Sequence, residues 1–146
     1  VFKVSYVTIV VVGGFAPHGR RIWARFVRVT TTPETWLSVP EAAEALGVAQ
    51  RDVRNMLADR QILAVRRGES AALAISSLTL VDEGGKAAVL PSLHGTLTAL
   101  SDAGCSDEEA WRWLTAANDE LGERPIDALR AGRVHAVRRA AATLAF

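Results

Sequence analysis

Gln50, Arg51, Arg54 and Asn55 fall within one short stretch of the chain, and their side chains suit the reading of base edges. A guanidinium can match the two acceptors of guanine, and a carboxamide can match the donor and acceptor of adenine. Arg66 and Arg67 follow as an adjacent pair of cations, a combination suited to phosphate. Across residues 49–67, five arginines (51, 54, 60, 66 and 67) stand against Asp52 and Asp59, a local net of +3. The two acids are spaced to pair with these arginines and blunt their pull on phosphate. A solvated polar face is therefore the competing reading of the same residues.

The other reactive side chains form no constellation. His18, His94 and His135 are widely separated and have no acidic partner at a useful spacing. Cys105 is the single cysteine, so an internal disulfide and a cysteine-based zinc cage are both excluded. It precedes a predicted helix, whose dipole would favour a thiolate, but nothing nearby completes a nucleophile, and a small buried thiol is expected. Gly84-Gly85-Lys86 lacks the remaining residues of a phosphate loop. Asp107, Glu108 and Glu109 suit the start of a helix without a catalytic role. No enzymatic activity, metal or cofactor is expected.

Two short helices must position the polar residues. Ser38-Val39-Pro40-Glu41 spells a capping box, with Pro40 in the first turn where a missing N–H is harmless. Ala42, Ala43 and Leu46 give that helix a narrow apolar face, and Gly47 ends it. A second helix runs from about Gln50 to Arg60, with Val53, Met56 and Leu57 inward. That leaves Gln50, Arg51, Arg54 and Asn55 outward near its N-terminus. Leu63 to Arg67 and Ala71 to Ile75 then flank Gly68-Glu69-Ser70 as two short strands of a hairpin. Small residues and a glycine turn between helices define a helix-turn-helix, and the hairpin stands where a wing would be, with Arg66 and Arg67 at its tip.

The stretch WLSVPEAAEALGVAQRDVRNMLADRQILAVRRGE resembles the helix-turn-helix shared by excisionases and MerR-type regulators, the likeness covering residues 36–75. Ala49 departs from that pattern, which places Ser or Thr there as the cap of the second helix. The missing cap costs about 1 kcal/mol.

Beyond the wing, residues 78–90 fit either a hairpin around Gly84-Gly85 or a helix starting at Ser76. Leu93, Leu97 and Leu100 recur at helical spacing up to Gly104. Ser106 to Glu109 spells a second capping box, opening a helix through Leu114. In that helix Trp113 or the Ala110–Leu114 pair is expected to anchor the core, leaving the other tryptophan at an edge. A polar loop leads to Pro125, which opens a short helix with Ile126 and Leu129 inward. The last helix is expected from Arg133 to about Leu144, with Val134, Val137, Ala141 and Leu144 on one stripe.

Pro125, Leu129 and Gly132 give this half a pattern similar to the C-terminal module of Xre-like antitoxins, which packs against or binds a partner toxin. Taken whole, residues 36–146 resemble a small actinobacterial family of winged helix-turn-helix DNA-binding proteins. The resemblance implies binding to double-stranded DNA and a cytoplasmic, nucleoid-associated location. It implies neither an operator sequence nor a ligand. The alternative is a protein-interaction module whose C-terminal helices hold a partner protein. No heptad seam indicates an oligomeric state.

The fold class expected is mainly α with a small β-hairpin wing: a winged helix-turn-helix over residues 36–90 and a C-terminal helical module over 91–146. Residues 1–35 read as a tail or an over-extended start, with Val29 a candidate beginning. Their apolar run from Val4 to Val12 is far shorter than the ~20 residues of a membrane span and has no evident partner strand. Thr30, Thr31, Thr32 and Thr35 make a threonine-rich arm on which phosphate would add negative charge.

The chain has 146 residues, 49% of them hydrophobic, and a net charge of +1, which permits a core and excludes binding by bulk charge alone. That near-neutrality conceals an asymmetry. Residues 1–35 hold five basic side chains against Glu34, whereas residues 36–146 hold 12 basic and 15 acidic side chains. Any contact with DNA would have to be local and oriented.

Overall fold

The computed structural model describes residues 34–145 and two short strands, β1 (Val7–Thr8) and β2 (Val29–Thr30). These strands pair antiparallel, Val7 opposite Thr30 and Thr8 opposite Val29. The apolar run expected to lack a partner strand thus has one at that point. Residues 1–6, 9–28 and 31–33 of the expected N-terminal tail, Thr31 and Thr32 among them, lie outside the described residues.

From Glu34 onward the chain is mainly helical with a small antiparallel wing. Strand β3 (Trp36–Leu37) leads into α1 (Val39–Leu46), and α2 (Gln50–Ala58) follows after a short turn. The capping box expected at α1 is present. Ser38 Oγ accepts the Glu41 N–H at 3.4 Å, and the Glu41 carboxylate accepts the Ser38 N–H at 2.7 Å. Gly47 ends the helix at φ 68, a conformation that glycine adopts without a Cβ clash. Ala42 and Ala43 are buried, and their small side chains let α1 and α2 cross closely.

The wing comprises β4 (Ala64–Arg67) and β5 (Ala72–Ser76), and β3 adds to the other edge of β5. Side chains alternate across a strand. The register therefore sets Leu37, Ile75 and Ala64 on one face and Trp36, Val65 and Arg67 on the other. The first face closes a core with Val39, Ala42, Leu46 and Val53. The second meets the C-terminal helices. Thr35, expected in a free arm, is instead tied to Ser77, each backbone N–H finding the other residue's Oγ or carbonyl at 2.8 Å.

Of the two readings of residues 78–90, the hairpin is the one that forms. A single 3-10 turn at Ser77–Thr79 precedes β6 (Leu80–Glu83) and β7 (Lys86–Val89). Gly84 and Gly85 have φ of 66 and 87, the pair of positive values that a tight I′ hairpin turn requires. Asp82 fixes the turn by accepting the Gly85 N–H at 2.8 Å. A helix from Ser76 fails because Ser76 Oγ caps only Leu78 and the chain then extends.

Helices α3 (Leu93–Asp102), α4 (Asp107–Thr115), α5 (Pro125–Arg130) and α6 (Val134–Ala142) complete the fold. Their leucine-rich core includes Leu93, Leu97, Leu100, Leu114, Ile126 and Val137, and it also takes in Leu63 and Leu78 from the preceding segment. Ala110 and Leu114 anchor α4, while Trp111 and Trp113 are half-buried. Arg130 crosses back from α5 to donate to the Leu78 and Leu80 carbonyls at 3.0 and 2.6 Å. Partial burial holds its guanidinium below the ordinary arginine pKa.

Three expectations about side-chain placement need correction. Leu144 is 41% exposed, because α6 ends at Ala142 and a 3-10 turn over Thr143–Ala145 carries it off the stripe. Ala140 joins Val137 and Ala141 in the core instead. Met56 and Leu57 are half-buried at the edge of their core, and Cys105 is half-buried rather than enclosed.

Candidate nucleic-acid interface

Helix α2 is held from behind by Val53, which is fully buried, with Met56 and Leu57 beside it. The helical repeat then turns Arg51, Arg54, Asn55 and Ala58 to the opposite side. All four are exposed, and Gln50 is exposed at the start of the helix. Of the side chains expected to read base edges, Arg51, Arg54 and Asn55 thus share one outward face, whereas Gln50 stands on the azimuth of Leu57 and is exposed only because it begins the helix. Helix α2 ends two residues before the expected Arg60, which sits at φ 55.

The charges on that face are almost unengaged. Asp52 lies 3.9 Å from Arg51, an exposed and loose contact of little energetic weight. Its carboxylate also accepts the Ala49 N–H at 3.3 Å. Ala49 has no side-chain acceptor to offer in return, so only half of a capping box closes the helix start. Asp59 makes no ion pair among the described residues, and the acids blunt the arginines less than their spacing suggested. Arg60 turns away to Asp107 at 4.0 Å, and its carbonyl lies 3.1 Å from His94 Nδ1.

Arg66 and Arg67 end β4 beside the wing loop and point to opposite faces of the hairpin. Arg66 donates to the Ala71 carbonyl at 3.0 Å, bracing the loop. Arg67 lies over the Trp36 ring, 4.1 Å from its centroid, a cation–π contact. Trp36 in turn meets Trp111 of α4 edge-on, with centroids 5.5 Å apart and planes at 75°. Both guanidinium groups are exposed and keep further N–H donors for an outside acceptor. Sequence reasoning missed the engagement of Arg67, since Trp36 and Arg67 meet only when β3 pairs with β5.

The C-terminal helices carry a different feature. Ala103, Cys105, Trp113, Ala116 and Leu144 line an open, mainly apolar depression of about 410 Å³, with Glu109 and Arg112 beside them. Among the described residues no group of three or more His, Cys, Asp or Glu side chains could hold a metal ion. No described helix is long and apolar enough to cross a membrane.

A capped helix, a glycine turn, a second helix with a polar outward face and a following hairpin define a winged helix-turn-helix protein. Residues 28–73 match the family model described as "DNA-binding protein Rv2175c, wHTH domain". Residues 90–145 match the one described as "Rv2175c C-terminal domain of unknown function". Among solved structures, the NMR structure of Rv2175c is 32% identical with a TM-score of 0.67, the match covering 81% of this chain and 86% of that one. The chain belongs to the Rv2175c family. No curated protein matches it.

Proposed function

We propose that this protein binds duplex DNA with sequence preference and regulates transcription at the nucleoid. Helix α2 enters the major groove, Gln50, Arg51, Arg54 and Asn55 approach base edges, and Arg66 and Arg67 meet the backbone beside it. The observation that carries this reading is the outward face of α2, where exposed guanidinium and carboxamide groups lie almost free of internal partners. The description of the matching family as DNA-binding supports it. So does the likeness of residues 36–75 to excisionase and MerR-type helix-turn-helix sequences.

Genomic footprinting followed by gel shifts over a salt series tests it. Arg54→Ala is expected to cost about 1–3 kcal/mol of binding and to relax the preference at one base position. Replacing Arg66 and Arg67 together is expected to weaken all sequences alike and flatten the salt dependence by about one unit per lost phosphate contact. Unchanged retention of every fragment by both variants would overturn the reading. The alternative, an antitoxin-like interaction module, draws on the apolar depression between Cys105 and Leu144. It requires that partner binding survive Arg54→Ala and that no DNA be enriched.

A further inference from the structure

We propose that Lys86, on the second hairpin, is an additional phosphate contact that works beside the helix-turn-helix. This inference rests on the DNA-binding reading and extends it to a segment lying between the two family matches, which end at 73 and resume at 90. The chain has two lysines, Lys3 and Lys86, so every other cationic side chain of the described winged and helical region is arginine or histidine.

Lys86 opens β7, which packs against α1. Its side chain lies over the turn between α1 and α2. A Cβ built on Gly47 would come within 3.0 Å of Lys86 Cε and 3.1 Å of its Nζ. Glycine at that turn therefore serves two ends, allowing the left-handed backbone and leaving room for the ammonium. Glu83 stands directly across the hairpin from Lys86, where an opposite charge ordinarily pairs. Yet no described carboxylate lies within 4.0 Å of the ammonium. Asp82, the other acid of the hairpin, is turned to the Gly85 N–H.

The result is an exposed positive charge, unpaired among the described residues, held by a packed hairpin at the entry to the recognition helix. In a helix-turn-helix the N-terminal residues of that helix approach base edges while the preceding helix crosses the backbone. The turn between them accordingly faces the phosphates at the groove edge. An ammonium is a compact, strongly hydrated point charge, suited to a phosphate oxygen rather than to the forked edge of a base. A purely internal role is the competing account, because the same charge also lies near the last carbonyls of α1 and favours its dipole.

Amine acetylation of the full chain, with and without a duplex fragment that it retains, tests the assignment residue by residue through peptide mass spectrometry. Bound DNA is expected to slow acetylation of Lys86 several-fold, and salt high enough to release the DNA should restore it. Acetylation at an unchanged rate while a gel shift shows the DNA bound would overturn the proposal and leave DNA binding intact. Failure of the unmodified protein to retain any fragment would overturn both. Lys86→Gln gives a second measure: all fragments should weaken alike, with the salt slope lower by about one unit and the base preference kept. A lower Tm with an unaltered salt slope would mark the internal role instead and overturn the assignment.

Discussion

Helices α2 and α4 each run for nine residues, and each shows a polar face to solvent. Helix α4 follows the rules that stabilise a helix end. Ser106 accepts the Glu109 N–H at 3.3 Å and receives the Glu109 carboxylate on its own N–H at 2.8 Å. Three acids occupy its first turn and Arg112 its last, each sign matching the helix dipole. Helix α2 departs from those rules at the same places. Its cap is an alanine, Arg51 sets a positive charge beside the single acid of its first turn, Asp52, and no basic residue occupies its last turn. Stability is thus concentrated in the supporting helix, whereas the outward helix keeps residues that local energetics disfavour. Departures of that kind are expected where a surface serves contact.

The contrast can be broken most severely from behind α4. Leu114→Ala removes a fully buried side chain and is expected to cost about 2–5 kcal/mol of stability, read from the denaturant midpoint. A much smaller loss would mean that α4 is not the support described. Next come the caps. Ser106→Ala should cost about 1 kcal/mol, and Ala49→Ser should move the other way by a comparable amount, since it supplies the missing acceptor. A destabilised Ala49→Ser protein would show that the start of α2 is held by something other than its cap.

The smallest expected effect is one of pH. The backbone N–H of Ser106 holds the Glu109 carboxyl below the ordinary glutamate range, with the Ser106 hydroxyl contributing, and Ser38 does the same for Glu41. A carboxyl lowered in the folded state stabilises it above the unfolded value of about 4.3. That contribution is lost as pH falls through the folded value. Glu109→Gln should therefore be less stable than the parent at neutral pH and converge with it in acid. A gap that stays constant with pH would separate the cap from the charge.

What the sequence makes legible is local chemistry. Both serine capping boxes join residues three apart, and the outward face of α2 needs only the helical repeat. Over residues 78–90 the sequence leaves a hairpin and a helix from Ser76 evenly balanced, and the two glycines decide it through their left-handed backbone. Strand β3 was not legible, because two residues become a strand only by pairing with β5. The same distance hid Arg67 on Trp36 and Lys86 on Gly47. Leu144 went the wrong way because its inward stripe assumes a helix that ends before reaching it. Leu63 and Leu78 read as part of the winged half, yet they complete the core of the C-terminal helices.

The pile of Arg67, Trp36 and Trp111 has an optical consequence. Indole emission responds to a charge over the ring, and here one guanidinium sits 4.1 Å from the Trp36 centroid. A wing that must lift Arg67 away to reach phosphate would change that emission on adding DNA. A wing that keeps Arg67 stacked and uses only its outer donors would leave it unchanged. With the other three tryptophans replaced, Trp36 thus becomes an intrinsic fluorophore that reports, without a label, which face of Arg67 is in use.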